Sequence, residues 1–115
     1  MKLHTWNQLE VDQLNPLATR QMIHGANVTM ARLCLKKGFV VPTHSHVNEQ
    51  ITTILEGAML FTMPSGQITV RAGDSLCIPP NVPHSAETLE DCVALDVFCP
   101  IREDWVRGDD AYLRK

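Results

Sequence analysis

The sequence lacks the features that mark several protein classes. No apolar run approaches the roughly 18 residues of a transmembrane helix, and the stretch from Met1 to Trp6 contains no apolar segment of the signal-peptide type. The net charge is only −3, and the basic residues are scattered rather than clustered, as a nucleic-acid surface would require. No internal repeat is visible. We therefore expect a cytoplasmic protein that binds neither nucleic acid nor a membrane.

The four cysteines form no C-x-x-C pair. Each has apolar neighbours in the sequence, and free cysteine is among the most frequently buried residue types. We therefore expect Cys34, Cys77, Cys92 and Cys99 to be reduced and to lie in the core. The chain has 115 residues, of which 44% are hydrophobic, enough for one domain with its own core.

Short segments rich in apolar and β-branched residues, separated by turn residues, predict an all-β protein with no long helix. Apolar residues occupy both faces of the segment 28–36, as expected where two sheets pack together. The predicted strands are 20–24, 28–36, 50–55, 58–63, 67–71, 75–78, 84–89 and 92–98, with a further strand after the turn at 36–38 that Pro42 makes irregular. We expect an N-terminal arm at 1–19, a β-sandwich rolled into a barrel at 20–100, and a C-terminal tail at 101–115.

Histidines in two stretches of the chain suggest a metal site, because imidazole is the commonest metal ligand near neutral pH. His44 and His46 are two residues apart, so on a regular strand both side chains would leave the same face. The same parity selects Gln50 rather than Glu49 as a further ligand. His84 follows a rigid proline-rich loop, which would present its side chain with little loss of entropy.

Three neutral imidazoles and a carboxamide would bring no negative charge to the bound ion. A divalent cation would then keep its full charge, which strengthens its Lewis acidity and its attraction for an anionic substrate. Nitrogen-rich ligation suits Ni, Zn, Fe, Mn or Cu. The Irving–Williams order makes the choice depend on metal supply, so the identity of the metal stays open.

Both histidine stretches resemble the motifs of the cupin superfamily. The first motif, G-x5-H-x-H-x3-(E/Q)-x6-G, matches Gly38 to Gly57 position for position. The second, G-x5-P-x-G-x2-H-x3-N, is matched at Gly73, Pro79 and His84, with Asn81 in place of glycine and Thr88 in place of asparagine. The resemblance implies a double-stranded β-helix of the jelly-roll type. It also implies the metal ligands His44, His46, Gln50 and His84.

The last predicted strand carries an aspartate, Asp96, among apolar residues. A buried carboxylate is costly unless it is paired or has a chemical role. Two interpretations remain open from the residues alone. Asp96 is either a structural partner of Arg102, or a proton-transfer group that faces the metal pocket with Phe98 as an apolar wall.

The chain from about residue 20 to about residue 113 resembles the small pectin-degradation cupins of the KdgF type. The resemblance rests on the runs His-Ser-His-x-x-Glu-Gln-Ile, Ile-Pro-Pro-Asn-Val-Pro-His and Asp-Val-Phe-x-Pro-x-Arg-Glu-Asp. It implies a metal-dependent enzyme that opens 4,5-unsaturated monouronates from pectin or alginate breakdown to the linear keto sugar acid. Asp96 and Arg102 would be catalytic, and Phe98 and Arg102 would bind the substrate. Arg32 and Arg71 are alternative partners for the substrate carboxylate.

Two other functions stay open. The chain could be a metal-dependent dioxygenase or isomerase that acts on another small polar molecule. It could also be a sugar-binding cupin without catalytic activity. Small single-domain cupins commonly pair through a sheet, and symmetric dimers are the commonest oligomers, so we expect a homodimer.

Overall fold

The fold was obtained as a computed structural model that describes residues 1–115. Ten strands dominate it, with one short α-helix and two 3₁₀ turns. The strands are β1 Asp12–Asn15, β2 Ala18–His24, β3 Thr29–Leu35, β4 Val40–His44, β5 Glu49–Glu56, β6 Ala58–Met63, β7 Gly66–Arg71, β8 Ser75–Ile78, β9 His84–Thr88 and β10 Cys92–Cys99. The helix α1 is Glu103–Val106, and the 3₁₀ turns are Trp6–Gln8 and Ala111–Leu113. None of the helices is long and apolar enough to cross a membrane.

The strands form two antiparallel sheets that enclose the core. The six-stranded sheet has the order β1-β2-β3-β10-β5-β8, and the four-stranded sheet has the order β4-β9-β6-β7. Side chains alternate between the two faces of a strand, and β10 shows this clearly. Ala94, Asp96 and Phe98 are buried between the sheets, whereas Leu95 and Val97 are only partly covered on the outer face. The all-β barrel expected from the sequence is therefore present.

The six-stranded sheet begins earlier than the expected boundary between an arm at 1–19 and a barrel at 20–100. β1 pairs with β2 in an antiparallel hairpin, and Leu14 of β1 is 4% exposed in the core. The side chain of Asn15 closes the tight turn, because its Oδ1 accepts a hydrogen bond from the backbone N–H of Leu17 at 2.8 Å. A four-residue strand beside a proline carries too little periodicity to be predicted from sequence.

The prediction that the cysteines lie in the core is wrong for three of the four. Cys34, Cys77 and Cys99 are exposed, and only Cys92 is buried. Each exposed cysteine is next to a buried apolar residue, namely Leu33, Ile78 or Phe98, so strand alternation turns the thiols themselves outward. Burial raises the pKa of the Cys92 thiol to about 11.

Three positions of the two histidine motifs have identifiable structural roles. Gly57 has φ +84°, and a side chain there would collide with the backbone carbonyl of Asp91. Asn81 has φ +65°, the left-handed conformation expected for a residue in the place of glycine. The Thr88 hydroxyl accepts a hydrogen bond from the Phe39 N–H at 2.9 Å and donates one to the Lys36 carbonyl at 2.6 Å. Thr88 thus fixes the turn that precedes β4.

The chain after β10 folds back onto the barrel. Trp105 of α1 and Leu113 of the second 3₁₀ turn are each 6% exposed and belong to the core cluster. Ion pairs attach this segment to the start of the sheet: Arg20 of β2 contacts Asp110 at 2.6 Å, and Arg114 contacts Asp12 at 2.8 Å.

Candidate metal centre

Three histidines converge between the two sheets. The ligand atoms of His44, His46 and His84 all lie within 4.8 Å of one another. His44 ends β4 and is paired in register with His84, which begins β9. His46 lies in the connection that carries the chain from the four-stranded to the six-stranded sheet. The expectation that His44 and His46 share one regular strand is therefore wrong, although both side chains reach the same site.

Backbone carbonyls hold each imidazole in the orientation that metal binding needs. The Nδ1 atoms of the three rings lie 2.8–3.0 Å from carbonyl oxygens, which can only accept a hydrogen bond. Each ring therefore carries its proton on Nδ1 and has a free lone pair on Nε2. The carbonyls belong to Pro42 for His44, to Asn48 for His46 and to Val82 for His84.

The electrostatic surroundings keep the three imidazoles neutral at physiological pH. Burial lowers the pKa of all three rings below the ordinary value of 6.5, and it lowers the pKa of His46 to about 4. The guanidinium of Arg102 adds to this effect at each ring. Neutral imidazole is the form that binds a metal ion, so the site is prepared for a cation without prior loss of protons.

Gln50 faces the same point from the opposite sheet. It lies on β5, is 6% exposed, and its Oε1 is 3.1 Å from Nε2 of His46. Because His46 carries its proton on Nδ1, both of these atoms are electron-pair donors with no proton between them. A cation placed between them would relieve their repulsion. The donor set of three imidazoles and one carboxamide oxygen therefore fits a divalent transition metal.

Asp96 lies beside this site but does not pair with Arg102. Its Oδ1 accepts a 2.7 Å hydrogen bond from the hydroxyl of Thr52, directly across the β5–β10 ladder. Burial raises the pKa of the Asp96 carboxyl to about 6, although the Thr52 hydrogen bond and the charge of Arg102 oppose the rise. The interpretation of Asp96 as a structural partner of Arg102 is wrong, since Arg102 forms its ion pair with Asp104 at 2.8 Å.

Arg102 contacts two aromatic rings at the edge of the pocket. Its guanidinium carbon lies 4.7 Å from the ring centroid of Phe98 and 4.0 Å from that of Trp105. Nε and Nη2 donate to the carboxylate of Asp104, and Nη2 also donates to the hydroxyl of Tyr112. Nη1 makes no hydrogen bond within the chain, which leaves two N–H groups for a ligand.

Two residues of the site have no counterpart in the sequence-based prediction. The ring of Tyr112 lies 4.8 Å from that of His44, and its hydroxyl accepts hydrogen bonds from Arg102 and from Trp105 Nε1. Asn48 donates to the carbonyls of residues 100 and 101, at 2.6 and 3.0 Å, and so ties the His46 loop to the segment before Arg102. The only sequence signal was their position: Asn48 lies inside the first cupin motif, and Tyr112 lies inside the stretch of about residues 20 to 113 that resembles the KdgF-type cupins.

One pocket brings most of the predicted residues together. Its polar lining includes His44, Gln50, Thr52, His84, Asp96 and Arg102. Phe98 and Tyr112 also line it, and apolar side chains of both sheets form the rest of its wall. The two alternative arginines do not reach it: Arg32 lies on the outer face of β3, and Arg71 is exposed at the end of β7.

Two antiparallel sheets with three histidines converging between them define the class of small β-barrels with an internal site that could hold a metal ion. The cupin domain family matches residues 31–98. The chain belongs to the cupin family. An uncharacterised protein of Methanocaldococcus jannaschii is 30% identical over 102 residues, which cover 78% of this chain and 81% of that protein.

Solved structures of other cupins have the same fold. KdgF from Halomonas sp. superposes with a TM-score of 0.83 at 22% identity, over 90% of this chain and 99% of that one. An RmlC-like cupin from Shewanella frigidimarina gives a TM-score of 0.84 at 25% identity, over 91% and 96% of the two chains. Oxalate decarboxylase from Bacillus subtilis, with its Mn(II) centres, gives 0.77 at 20% identity, over 88% of this chain and 30% of that enzyme.

Proposed function

We propose that the chain is a metal-dependent cupin that opens 4,5-unsaturated monouronates to the linear keto sugar acid. The observation that carries the proposal is one pocket in which Asp96, Phe98 and Arg102 face the histidine cluster. These are the three residues that the resemblance to KdgF-type cupins assigns to catalysis and substrate binding. The fold shared with KdgF from Halomonas sp. is consistent with the assignment.

The reaction is an isomerisation that needs no second substrate. The hemiacetal hydroxyl loses its proton, a carbonyl forms at that carbon, and the bond from the carbon to the ring oxygen breaks. The electron pair of that bond goes to the ring oxygen, which becomes the oxygen of an enolate that contains the 4,5 double bond. Addition of a proton at C4 then gives the ketone, so the proton lost in the first step is recovered in the last.

Asp96 is the group proposed to carry this proton. A raised pKa of about 6 places the Asp96 carboxyl near the pH at which it exchanges a proton readily. Its Oδ1 is held by Thr52, which leaves Oδ2 for the substrate. Asp96 would accept the hemiacetal proton at Oδ2 and return it at C4.

Arg102 is the proposed partner of the substrate carboxylate. The two N–H groups on Nη1 have no partner within the chain, and the guanidinium is already oriented by Asp104 and by the ring of Phe98. A preoriented guanidinium binds a carboxylate with directional, charge-assisted hydrogen bonds. Phe98, which is 1% exposed, would exclude water from the reacting end of the sugar.

His44, His46, Gln50 and His84 would hold the divalent metal. A bound divalent ion supplies Lewis acidity that stabilises negative charge as it develops on a substrate oxygen. The donor set is compatible with Ni, Zn, Fe or Mn, and supply in the cell would decide among them.

The experiment that tests this function follows the ultraviolet absorption of the conjugated double bond of 4,5-unsaturated galacturonate. Protein loaded separately with Ni²⁺, Zn²⁺, Fe²⁺ or Mn²⁺ should speed the loss of the band above the spontaneous rate with at least one metal. His44→Ala and Asp96→Ala should return the rate to the spontaneous value. Glu87→Gln, which changes an exposed carboxylate on β9, is the matched control and should be fully active.

A spontaneous rate with all four metals would contradict the uronate proposal. Oxygen consumption with another small polar molecule would instead favour the dioxygenase alternative. Saturable binding of the uronate without conversion would favour a sugar-binding cupin without catalytic activity.

We also propose a homodimer formed through the outer face of the six-stranded sheet. Ile51 and Leu55 of β5 are 40% and 51% exposed, and the partly covered Leu95 and Val97 of β10 continue this apolar surface. A symmetric dimer would cover the same patch on both copies. Light scattering after gel filtration should give twice the chain mass, and Ile51→Lys should shift the protein to the monomer. A monomeric parent protein would contradict the dimer.

A further inference from the structure

We infer that Thr52 is a positioning residue that orients Gln50 toward the metal and Asp96 toward the substrate at the same time. The inference rests on the proposed function, and its test depends only on the metal-binding part and uses no uronate substrate. Thr52 is 1% exposed, and no motif of the sequence singles it out.

Hydrogen bonds connect Gln50, Thr52 and Asp96 in a continuous row along the wall of the pocket. Nε2 of Gln50 donates a 2.8 Å hydrogen bond to the Thr52 hydroxyl, and the hydroxyl donates a 2.7 Å hydrogen bond to Oδ1 of Asp96. On its other side, Oε1 of Gln50 faces Nε2 of His46 at 3.1 Å. Thr52 thus stands between the proposed metal ligand and the proposed proton carrier.

The chemistry of a hydroxyl fixes the direction of these bonds. A hydroxyl has one proton to donate and two lone pairs that accept. Because an ionised Asp96 can only accept, the Thr52 proton points toward it. The remaining contact to the Thr52 oxygen must then come from a donor, which is the NH₂ group of Gln50. The amide is thereby fixed with its oxygen toward the histidines.

This arrangement also explains why a carboxamide suits position 50 in this chain. A glutamate there would place a second carboxylate against the Thr52 oxygen, whose single proton Asp96 already receives. One of the two acids would then be left without its hydrogen bond in a buried site, which is unfavourable. Gln50 and Asp96 are compatible because Thr52 accepts from one and donates to the other.

The neighbouring residue offers a matched control on the same strand. Thr53 faces outward, and its hydroxyl contacts that of Ser75 at 2.7 Å at the exposed surface. Threonine-to-valine changes at positions 52 and 53 remove the same atoms and add the same methyl group. Only the change at position 52 should affect the site.

The experiment measures the affinity of metal-free protein for Co²⁺ by competition with a coloured chelator, together with the visible spectrum of bound cobalt. Mutation of a residue that orients a metal ligand typically lowers metal affinity by about 10–100-fold. We expect Thr52→Val to weaken Co²⁺ binding at least about tenfold and to change the cobalt spectrum. Thr52→Ser, which keeps the hydroxyl, should restore both, and Thr53→Val should match the parent protein.

Parental affinity and spectrum in Thr52→Val would overturn the role of Thr52 and leave the uronate proposal intact. A parent protein that binds no Co²⁺ would overturn both the metal centre and this inference, whereas normal cobalt binding without uronate turnover would contradict the proposed function alone. If Thr52→Val does not fold, nuclear magnetic resonance of the parent protein decides the question. Its Gln50 side-chain NH₂ should exchange slowly with solvent, and fast exchange would overturn the inference.

Discussion

Two buried arginines that contact the same tryptophan illustrate how a structural charge differs from one that is available to a ligand. Arg20 and Arg102 are each 1% exposed. Their guanidinium carbons lie 4.5 and 4.0 Å from the ring of Trp105, and each arginine forms an ion pair with an aspartate of the C-terminal segment. Burial, aromatic contact and ion pairing are therefore the same for both residues and do not show which of them is available to bind a ligand.

The difference lies in where the remaining nitrogen atoms point. Arg20 uses Nη2 for both Asp12 and Asp110, and its Nε and Nη1 are buried without a hydrogen-bond partner. Arg102 borders the pocket with Nη1 free of any partner in the chain. Arg20 thus fastens the C-terminal segment to the sheet, whereas Arg102 keeps donors available to a ligand. Unused donors that face a cavity are the more informative sign of function.

The largest effect on stability is expected at Arg20. Arg20→Met leaves Asp110, which is 2% exposed, with only Arg114 as a partner. Breaking a buried ion pair costs about 3–5 kcal/mol, and urea denaturation should show a loss of that order. The control is Arg107→Met, because Arg107 and Asp109 form an exposed pair at 3.9 Å. A loss no larger than in this control would show that Arg20 does not hold the segment in place.

Asp96→Asn should stabilise the protein at neutral pH while it abolishes turnover. The folded state raises the pKa of Asp96 from 3.8 to about 6, so ionisation of this carboxyl lowers stability progressively as the pH rises between these two values. The variant lacks this loss and should gain up to about 3 kcal/mol at pH 7. Below about pH 4 the gain should disappear. Urea denaturation across this pH range measures the difference, and a less stable variant at pH 7 would contradict a buried ionised Asp96.

Arg102→Lys should affect substrate use more than stability, in contrast to Arg20. Lysine keeps the charge but loses the fork that bonds both Asp104 and Tyr112. Loss of a charge-assisted hydrogen bond of about 2 kcal/mol corresponds to a rise in KM of roughly 30-fold. Steady-state kinetics and urea denaturation on the same preparation test the contrast. An unchanged KM with a large loss of stability would place Arg102 in the same structural role as Arg20.

The smallest effect is expected for Tyr112→Phe, which removes the acceptor shared by Arg102 and Trp105. The Arg102 guanidinium keeps both hydrogen bonds to Asp104, so we expect an effect on substrate binding of about 1 kcal/mol, which corresponds to a rise in KM of about fivefold. Activity equal to that of the parent protein would show that Tyr112 does not orient Arg102.

Local sequence patterns predicted those strand bounds and turn conformations that are determined by neighbouring residues. The bounds of β6 and β8 were predicted at their observed residues, because turn residues on both sides limit each strand. The left-handed conformation of Asn81 also follows from local chemistry. The four-residue β1 was missed because its pairing with β2, rather than its own pattern, makes it a strand.

The sequence predicted most residues of the candidate site, but it predicted little of the geometry that brings them together. Gln50 faces the histidines as expected, but the regular strand assumed for the parity argument ends at His44. The partner of Asp96 is Thr52, on a strand far away in sequence, and Tyr112 arrives from the C-terminal segment. Contacts between distant segments leave no periodic signal, so no single-sequence pattern could have indicated them.

The metal centre is tested most directly by X-ray absorption spectroscopy on protein loaded with one equivalent of Ni²⁺. We expect one tightly bound ion per chain, with scattering from three imidazole rings and at least one oxygen ligand. His84→Ala should remove one imidazole contribution or abolish binding. A tightly bound ion without imidazole scattering, or no bound nickel in folded protein, would contradict the convergence of the three histidines on a metal.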